Sequence, residues 1–226
     1  MSPLAVLFLL VIAPALALYL ALIGFETLSS NLVGWFLLVL GIAYPAGAVI
    51  YYFIRREPFW KSTGGGKTAR EEKGDRSFWL ILPGFLVVFF APPHEWMALP
   101  AFLPRTIWSQ MAGLVLILGA VVLLVWSRIH IRGQYSGHVE VKTDHQLVTS
   151  GPYRFIRHPS YCGLLLMSLG VAVGYASLIG LAGFVLLLIP GFIFRIHIEE
   201  NLLLTQFGAE YEKYAAHTRK LIPGIW

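Results

Sequence analysis

Residues 178–200 read LIGLAGFVLLLIPGFIFRIHIEE, a run of uncharged residues that closes on Arg195, His197, Glu199 and Glu200. A helix that crosses a bilayer needs about 20 apolar residues, and charge beside hydrocarbon is costly. The reading of this stretch therefore decides both the fold class and where any chemistry lies.

The rest of the chain has the same character. Of 226 residues, 57% are hydrophobic and 13% charged, and the mean hydropathy is +0.70, well outside the range of soluble domains. Apolar segments fall near residues 3–25, 32–54, 78–93, 107–127, 161–175 and 178–196. The expectation is an all-α, polytopic membrane helical bundle of about six segments. The last two, split only by a turn around Gly174 to Ser177, form a tight hairpin whose Gly163, Gly170, Gly180 and Gly183 permit close helix contact. The N-terminal run carries no positive segment before it and reads as a retained helix rather than a signal peptide. The single cysteine, Cys162, excludes an intramolecular disulfide framework and reads as packing.

The net charge of +5 reflects loops that face anionic lipid, and no nucleic-acid motif accompanies it. Seven Lys and Arg lie between Arg55 and Arg76 and five between Arg128 and Ser160, and the tail adds Lys213, Arg219 and Lys220. The links near 26–31 and 94–106 hold only Arg105, and the earlier membrane segments read as free of charge. Six crossings place every basic segment on one side, so both termini, the long links and the 195–200 cluster are expected in the cytoplasm. The organisation is then residues 1–106, N-terminal membrane helices with a basic Gly/Lys link at 55–76. Residues 107–226 form a core with a link at 128–160, the hairpin at 161–198 and an amphipathic segment at 199–226. The link's KSTGGGKTAR ends like a phosphate loop, but the required first glycine is Lys61, and it reads as a flexible solvated connection.

Two polar clusters remain. The link from His138 to Gly163 mixes three histidines with Tyr153, Tyr161 and an Arg157-His158-Pro159 approach to a helix whose first turn suits proline. With Cys162 read as packing and no H-x-x-x-H or H-E-x-x-H spacing, no metal is expected there. In the second cluster Arg195 and Glu199 are four apart and share a helix face as a possible ion pair. Glu200, His197 and Arg219 read as interfacial charges. Farther on, Leu203, Phe207, Tyr211 and Tyr214 fall on one face of a helix, either an amphipathic helix on the membrane surface or a lid over a site.

Taken together, LVTSGPYRFIRHPSYCG (147–163), the apolar hairpin, and RIHIEENLLLTQFGAEYEKYAAHTRKLIPGIW (195–226) resemble the isoprenylcysteine carboxyl methyltransferase family, within a superfamily that includes phospholipid methyltransferases. The resemblance covers about the C-terminal 100 residues. It implies an integral-membrane enzyme that binds S-adenosylmethionine in a cytosolic pocket and admits a lipophilic or prenylated substrate from the bilayer. By position it assigns cofactor contacts to His145, Gln146, Leu147, Val148, Tyr153, His158, Pro159, Ser160, Tyr161 and Glu199, and substrate contact to Arg195. Arg195 and Glu199 are thus the candidate catalytic pair.

A carboxylate acceptor is already ionised at neutral pH and needs a guanidinium to orient it rather than a base, so Arg195 favours O-methylation. An amine acceptor, as in a phospholipid N-methyltransferase, would have to lose a proton and would repel Arg195. A thiol acceptor would benefit from a base such as His197. An NADPH-dependent membrane reductase and a transporter remain as readings from other classes.

Overall fold

The computed structural model describes residues 15, 18–19, 30–55, 68–69, 77–131, 141–142 and 147–222. In chain order these form α1 (Leu32–Arg55), β1 (Thr68–Ala69), α2 (Phe78–Ala98), α3 (Ile107–His130), β2 (Val141–Lys142), a 3-10 turn (Gly151–Arg154), α4 (Pro159–Gly174), α5 (Leu178–Phe207) and α6 (Ala209–His217). One turn of α5, Phe184–Leu188, is π-helical. The architecture is helical, as the hydropathy pattern predicts. The exception is the antiparallel β1–β2 ladder, with Thr68 opposite Lys142 and Ala69 opposite Val141, which joins the Gly/Lys link to the link before α4. The apolar segment at 3–25 lies almost wholly outside the described residues.

Trp79–Ala98, Ile107–His130 and Leu178–Phe207 are long and apolar enough to cross a membrane. α4, with 16 residues, reaches about 24 Å, less than the ~30 Å hydrocarbon thickness. α5, with 30 residues, reaches about 45 Å, so its last turns project beyond the hydrocarbon. The charges from Arg195 to Glu200 therefore lie within a continuing helix and do not end it.

The sequence reading closes the α2 segment at residue 93, but the helix runs through Pro83, Pro92 and Pro93 to Ala98. Neighbouring helices in a membrane bundle satisfy the carbonyls that proline frees. This extension brings Glu95 inside the helix, 2% exposed, and corrects the expectation that the earlier membrane segments carry no charge. Glu95 accepts the Ser177 hydroxyl at 2.5 Å and the amides of Leu178 and Ile179 at 3.0 and 3.1 Å. A carboxylate from α2 thus caps the start of α5, where orphan amides and the helix dipole favour negative charge. The turn between α4 and α5 is tight, with Ala176 at φ 47°.

The core lines up Ile81, Phe85, Val88 and Phe89 of α2 with Ile117 of α3, Met167 and Val171 of α4, and Leu188, Phe192 and Ile196 of α5. In lipid such packing stabilises by close contact rather than by escape from water. The expected hairpin glycines do allow close approach, but chiefly to other helices. Gly163 and Gly170 meet α3, and Gly180 and Gly183 meet Pro92 and Val87 of α2. The closest approach to another helix's backbone is at Gly113, where a Cβ would lie 2.5 Å from the Gly174 Cα and 2.6 Å from the Gly170 carbonyl oxygen. Gly113→Ala should therefore cost about 1–3 kcal/mol by overpacking, read as a lower midpoint of thermal unfolding in detergent. Gly119→Ala on the same helix meets nothing within 4 Å and should leave the midpoint unchanged or slightly higher.

Candidate active site

The site forms where the link before α4, the start of α4 and the far end of α5 meet. Gly151, at φ 62°, lies so close to the His130 ring that a Cβ would fall 2.4 Å from it. Only glycine suits both the conformation and the contact. The turn it opens carries Tyr153 inward, to 7% exposure. Pro159 then begins α4, where its missing N–H is no loss.

After Gly208, at φ 49°, the chain turns back as α6. Leu203, Phe207, Tyr211 and Tyr214 are therefore divided between two helices. Tyr214 donates to the Tyr153 carbonyl at 2.7 Å and Tyr211 to Glu200 Oε1 at 3.2 Å. Residues beyond α6 run parallel to the link. Arg157 N donates to the Arg219 carbonyl at 2.7 Å, His158 N to the Lys220 carbonyl at 3.0 Å, and Arg219 N to the Phe155 carbonyl at 3.3 Å. Burial pushes the hydroxyl of Tyr211 upward and that of Tyr214 up to about 12, so both remain donors at neutral pH.

Glu200, read from sequence as an interfacial charge, is the centre of this end of the molecule. Arg157 grips it with both arms of its fork, Nε at 2.6 Å from Oε1 and Nη2 at 3.2 Å from Oε2. His158 Nε2 lies 3.1 Å from Oε1, and Lys220 Nζ 3.4 Å from Oε2. Arg157 Nη1 also donates to the carbonyls of Ala215 and Thr218 at 3.1 and 2.6 Å. Burial alone would make Arg157 a stronger acid, but the Glu200 carboxylate outweighs that and raises its pKa. Neither Arg157 nor Glu200 figured among the candidates. The available signal was Arg157's place directly before His158-Pro159.

Glu199 faces a different set of groups. Its Oε2 accepts the Tyr161 hydroxyl at 2.5 Å, and the same hydroxyl accepts Arg195 Nε–H at 2.9 Å. The shared face expected for Arg195 and Glu199 is present, and the link between them runs through Tyr161. Arg195 is 5% exposed, and its Nη1 lies 3.4 Å from the Ser77 hydroxyl at the start of α2. The His158 ring stacks on Tyr161, with centroids 5.6 Å apart and planes at 4°. Glu199 keeps 29% of its side chain exposed, and among the described residues its Oε1 has no partner. His158, Tyr161, Arg195 and Glu199 therefore form one contiguous group. Pro159 and Tyr153 are buried beside the link, and Leu147, Val148 and Ser160 are half-buried. His145 and Gln146 lie outside the described residues. His197 is exposed, two positions from Arg195 and so on nearly the opposite helix face.

Residues 108–210 match the model of the phospholipid methyltransferase family. The chain is 30% identical over 120 residues to protein-S-isoprenylcysteine O-methyltransferase A of Arabidopsis thaliana, covering 52% of this chain and 61% of that one. It is 31% identical over 134 residues to the Dictyostelium discoideum protein-S-isoprenylcysteine O-methyltransferase, covering 58% and 55%. The chain thus spans little more than half the length of these curated relatives. The solved structure of the eukaryotic intramembrane Ras methyltransferase, isoprenylcysteine carboxyl methyltransferase, superposes with a TM-score of 0.57 at 20% identity, covering 95% of this chain and 73% of that one.

The fold is therefore that of an integral-membrane helical protein. In sequence, over its C-terminal half, the chain is similar to the isoprenylcysteine carboxyl methyltransferases.

Proposed function

We propose that this protein is an S-adenosylmethionine-dependent methyltransferase that forms an ester on the carboxylate of a lipophilic substrate such as a C-terminal prenylcysteine. The observation that carries the reading is Arg195, a buried guanidinium within α5 where its apolar run closes, linked through one tyrosine hydroxyl to a partly exposed carboxylate. The residues suit the proposed cofactor. The open Oε1 of Glu199 can accept a hydroxyl or ammonium proton, and the stacked, buried rings of His158 and Tyr161 hold the Tyr161 hydroxyl on Glu199. When bound, S-adenosylmethionine supplies a methyl group already activated on a sulfonium, so transfer to an ionised carboxylate needs no general base on the protein.

The tasks left to the chain are orientation and exclusion of water. Arg195 offers planar donors that suit a carboxylate, and its position inside the apolar end of α5 suits a substrate that arrives through lipid. Tyr211 and Tyr214, drawn over the link by Glu200 and Tyr153, cover the polar side. A thiol acceptor would require a base where His197 is turned away and exposed. In this reading both termini and the site face the cytoplasm, as the distribution of Lys and Arg favours.

The deciding measurement is transfer of radiolabelled methyl from S-adenosylmethionine to a prenylcysteine analogue by protein purified in detergent, with calorimetry of S-adenosylhomocysteine and NADPH beside it. We expect a base-labile ester, no labelling of the carboxamide analogue, and binding of S-adenosylhomocysteine only. Labelling of phosphatidylethanolamine or a thiol instead, or binding of NADPH alone, would overturn the assignment.

A further inference from the structure

Ser77 occupies the position before α2 at which a serine ordinarily turns its hydroxyl back onto the first free amides of the helix. It makes no such bond. The side chain is fully buried, and its Oγ meets Arg195 Nη1 at 3.4 Å, across 118 residues of sequence. On another edge of the guanidinium, Nε donates to the Tyr161 hydroxyl at 2.9 Å. A residue type that favours capping is thus given over to a distant arginine, the kind of departure from local preference that marks functional positions.

We infer that Ser77 is a positioning residue for Arg195, and that it is the contribution of the N-terminal half of the chain to recognition of the acceptor carboxylate. The Nε contact to the Tyr161 hydroxyl holds one edge of the guanidinium. A second at Nη1, from a different helix, fixes its plane. A fork that must meet a carboxylate within about 10–20° requires such support. Only one of the two hydroxyls lies in the family match: Tyr161 is within residues 108–210, and Ser77 lies before them. The helix that Ser77 begins also packs along α5 through Phe85 and Phe192, so the contact is held by the core and not by a loose side chain.

The inference rests on Arg195 engaging the acceptor, and two readouts separate its failure from failure of that reading. In methyl transfer, Ser77→Ala should raise KM for the prenylcysteine analogue by about tenfold, the scale of one hydrogen bond to a charged group. The affinity for S-adenosylhomocysteine should stay unchanged, and Ser77→Thr should restore KM. In nitrogen NMR of the detergent-solubilised protein, the Arg195 Nε signal is identified by its loss in Arg195→Lys. It should show hindered guanidinium rotation in the unsubstituted protein, faster rotation in Ser77→Ala and recovery in Ser77→Thr. An unchanged KM, or equal weakening of acceptor and cofactor, overturns the inference while leaving the methyltransferase reading intact. If no carboxylate is methylated at all, that reading fails, and the link to an acceptor fails with it. The Nε signal then still decides whether Ser77 orients Arg195, since unchanged rotation in Ser77→Ala overturns the positioning itself.

Discussion

Arg195→Ala should lower methyl transfer to a prenylcysteine analogue by between about a hundredfold and a thousandfold, the range seen when a buried group that stabilises the reacting charge is removed. The affinity for S-adenosylhomocysteine should change little, because Glu199 retains the Tyr161 hydroxyl when the arginine is gone. Arg195→Lys should recover only a small part of the activity. A lysine restores charge but not the planar fork, and it cannot reproduce the Nε contact to Tyr161. Thermal unfolding of each variant in detergent separates loss of chemistry from loss of fold. Normal turnover by a folded Arg195→Ala protein would remove Arg195 from the mechanism.

The second large effect belongs to Glu200. Glu200→Ala removes the partner of Arg157, His158, Tyr211 and Lys220 together. It leaves the Arg157 guanidinium, whose side chain is 8% exposed, without its counter-ion. A buried charge stripped of its partner costs about 3–5 kcal/mol, and the cost should fall locally. Amide exchange should accelerate through α6 and residues 218–222 and in the paired residues 155–158. The centres of α2 and α3 should be little affected. Glu212→Ala, which removes an exposed acid on α6, is the control and should leave exchange as it was. Equal protection of α6 in Glu200→Ala would show that the tail is held by the rings of Tyr211 and Tyr214 rather than by the carboxylate.

The helices were legible in the sequence because a bilayer asks for long uninterrupted apolar runs, and these recur at five of the described positions. What hydropathy reads poorly is where such a run stops. Pro92-Pro93 looks like a terminus by the rules for water-soluble helices, yet α2 continues past it because adjacent helices supply what the ladder loses. Glycine spacing marks a face fit for close approach but not the neighbour that approaches, so hairpin glycines that seemed to address one another pack mainly on α3 and α2. Within the site, Arg195 and Glu199 stood out because both lie on one helix, one turn apart. Glu200 did not, because its importance comes from partners between 11 and 43 positions away, and a linear chain shows a charge without showing who holds it. Ser77 carried no signal, since a serine before a helix is what capping alone would place there.

Glu95 gives α5 a fixed origin. Its carboxylate grips the first amides of the helix at Leu178 and Ile179, and Arg195 lies 17 residues farther along the same rod, about 26 Å at the helical rise. The distance from anchor to guanidinium is therefore set by backbone geometry. A helix pinned in this way does not slide along its neighbour, so α2 and α5 keep one register. α5 then acts as a ruler, holding one guanidinium at a constant distance from the end of α2 that carries Glu95.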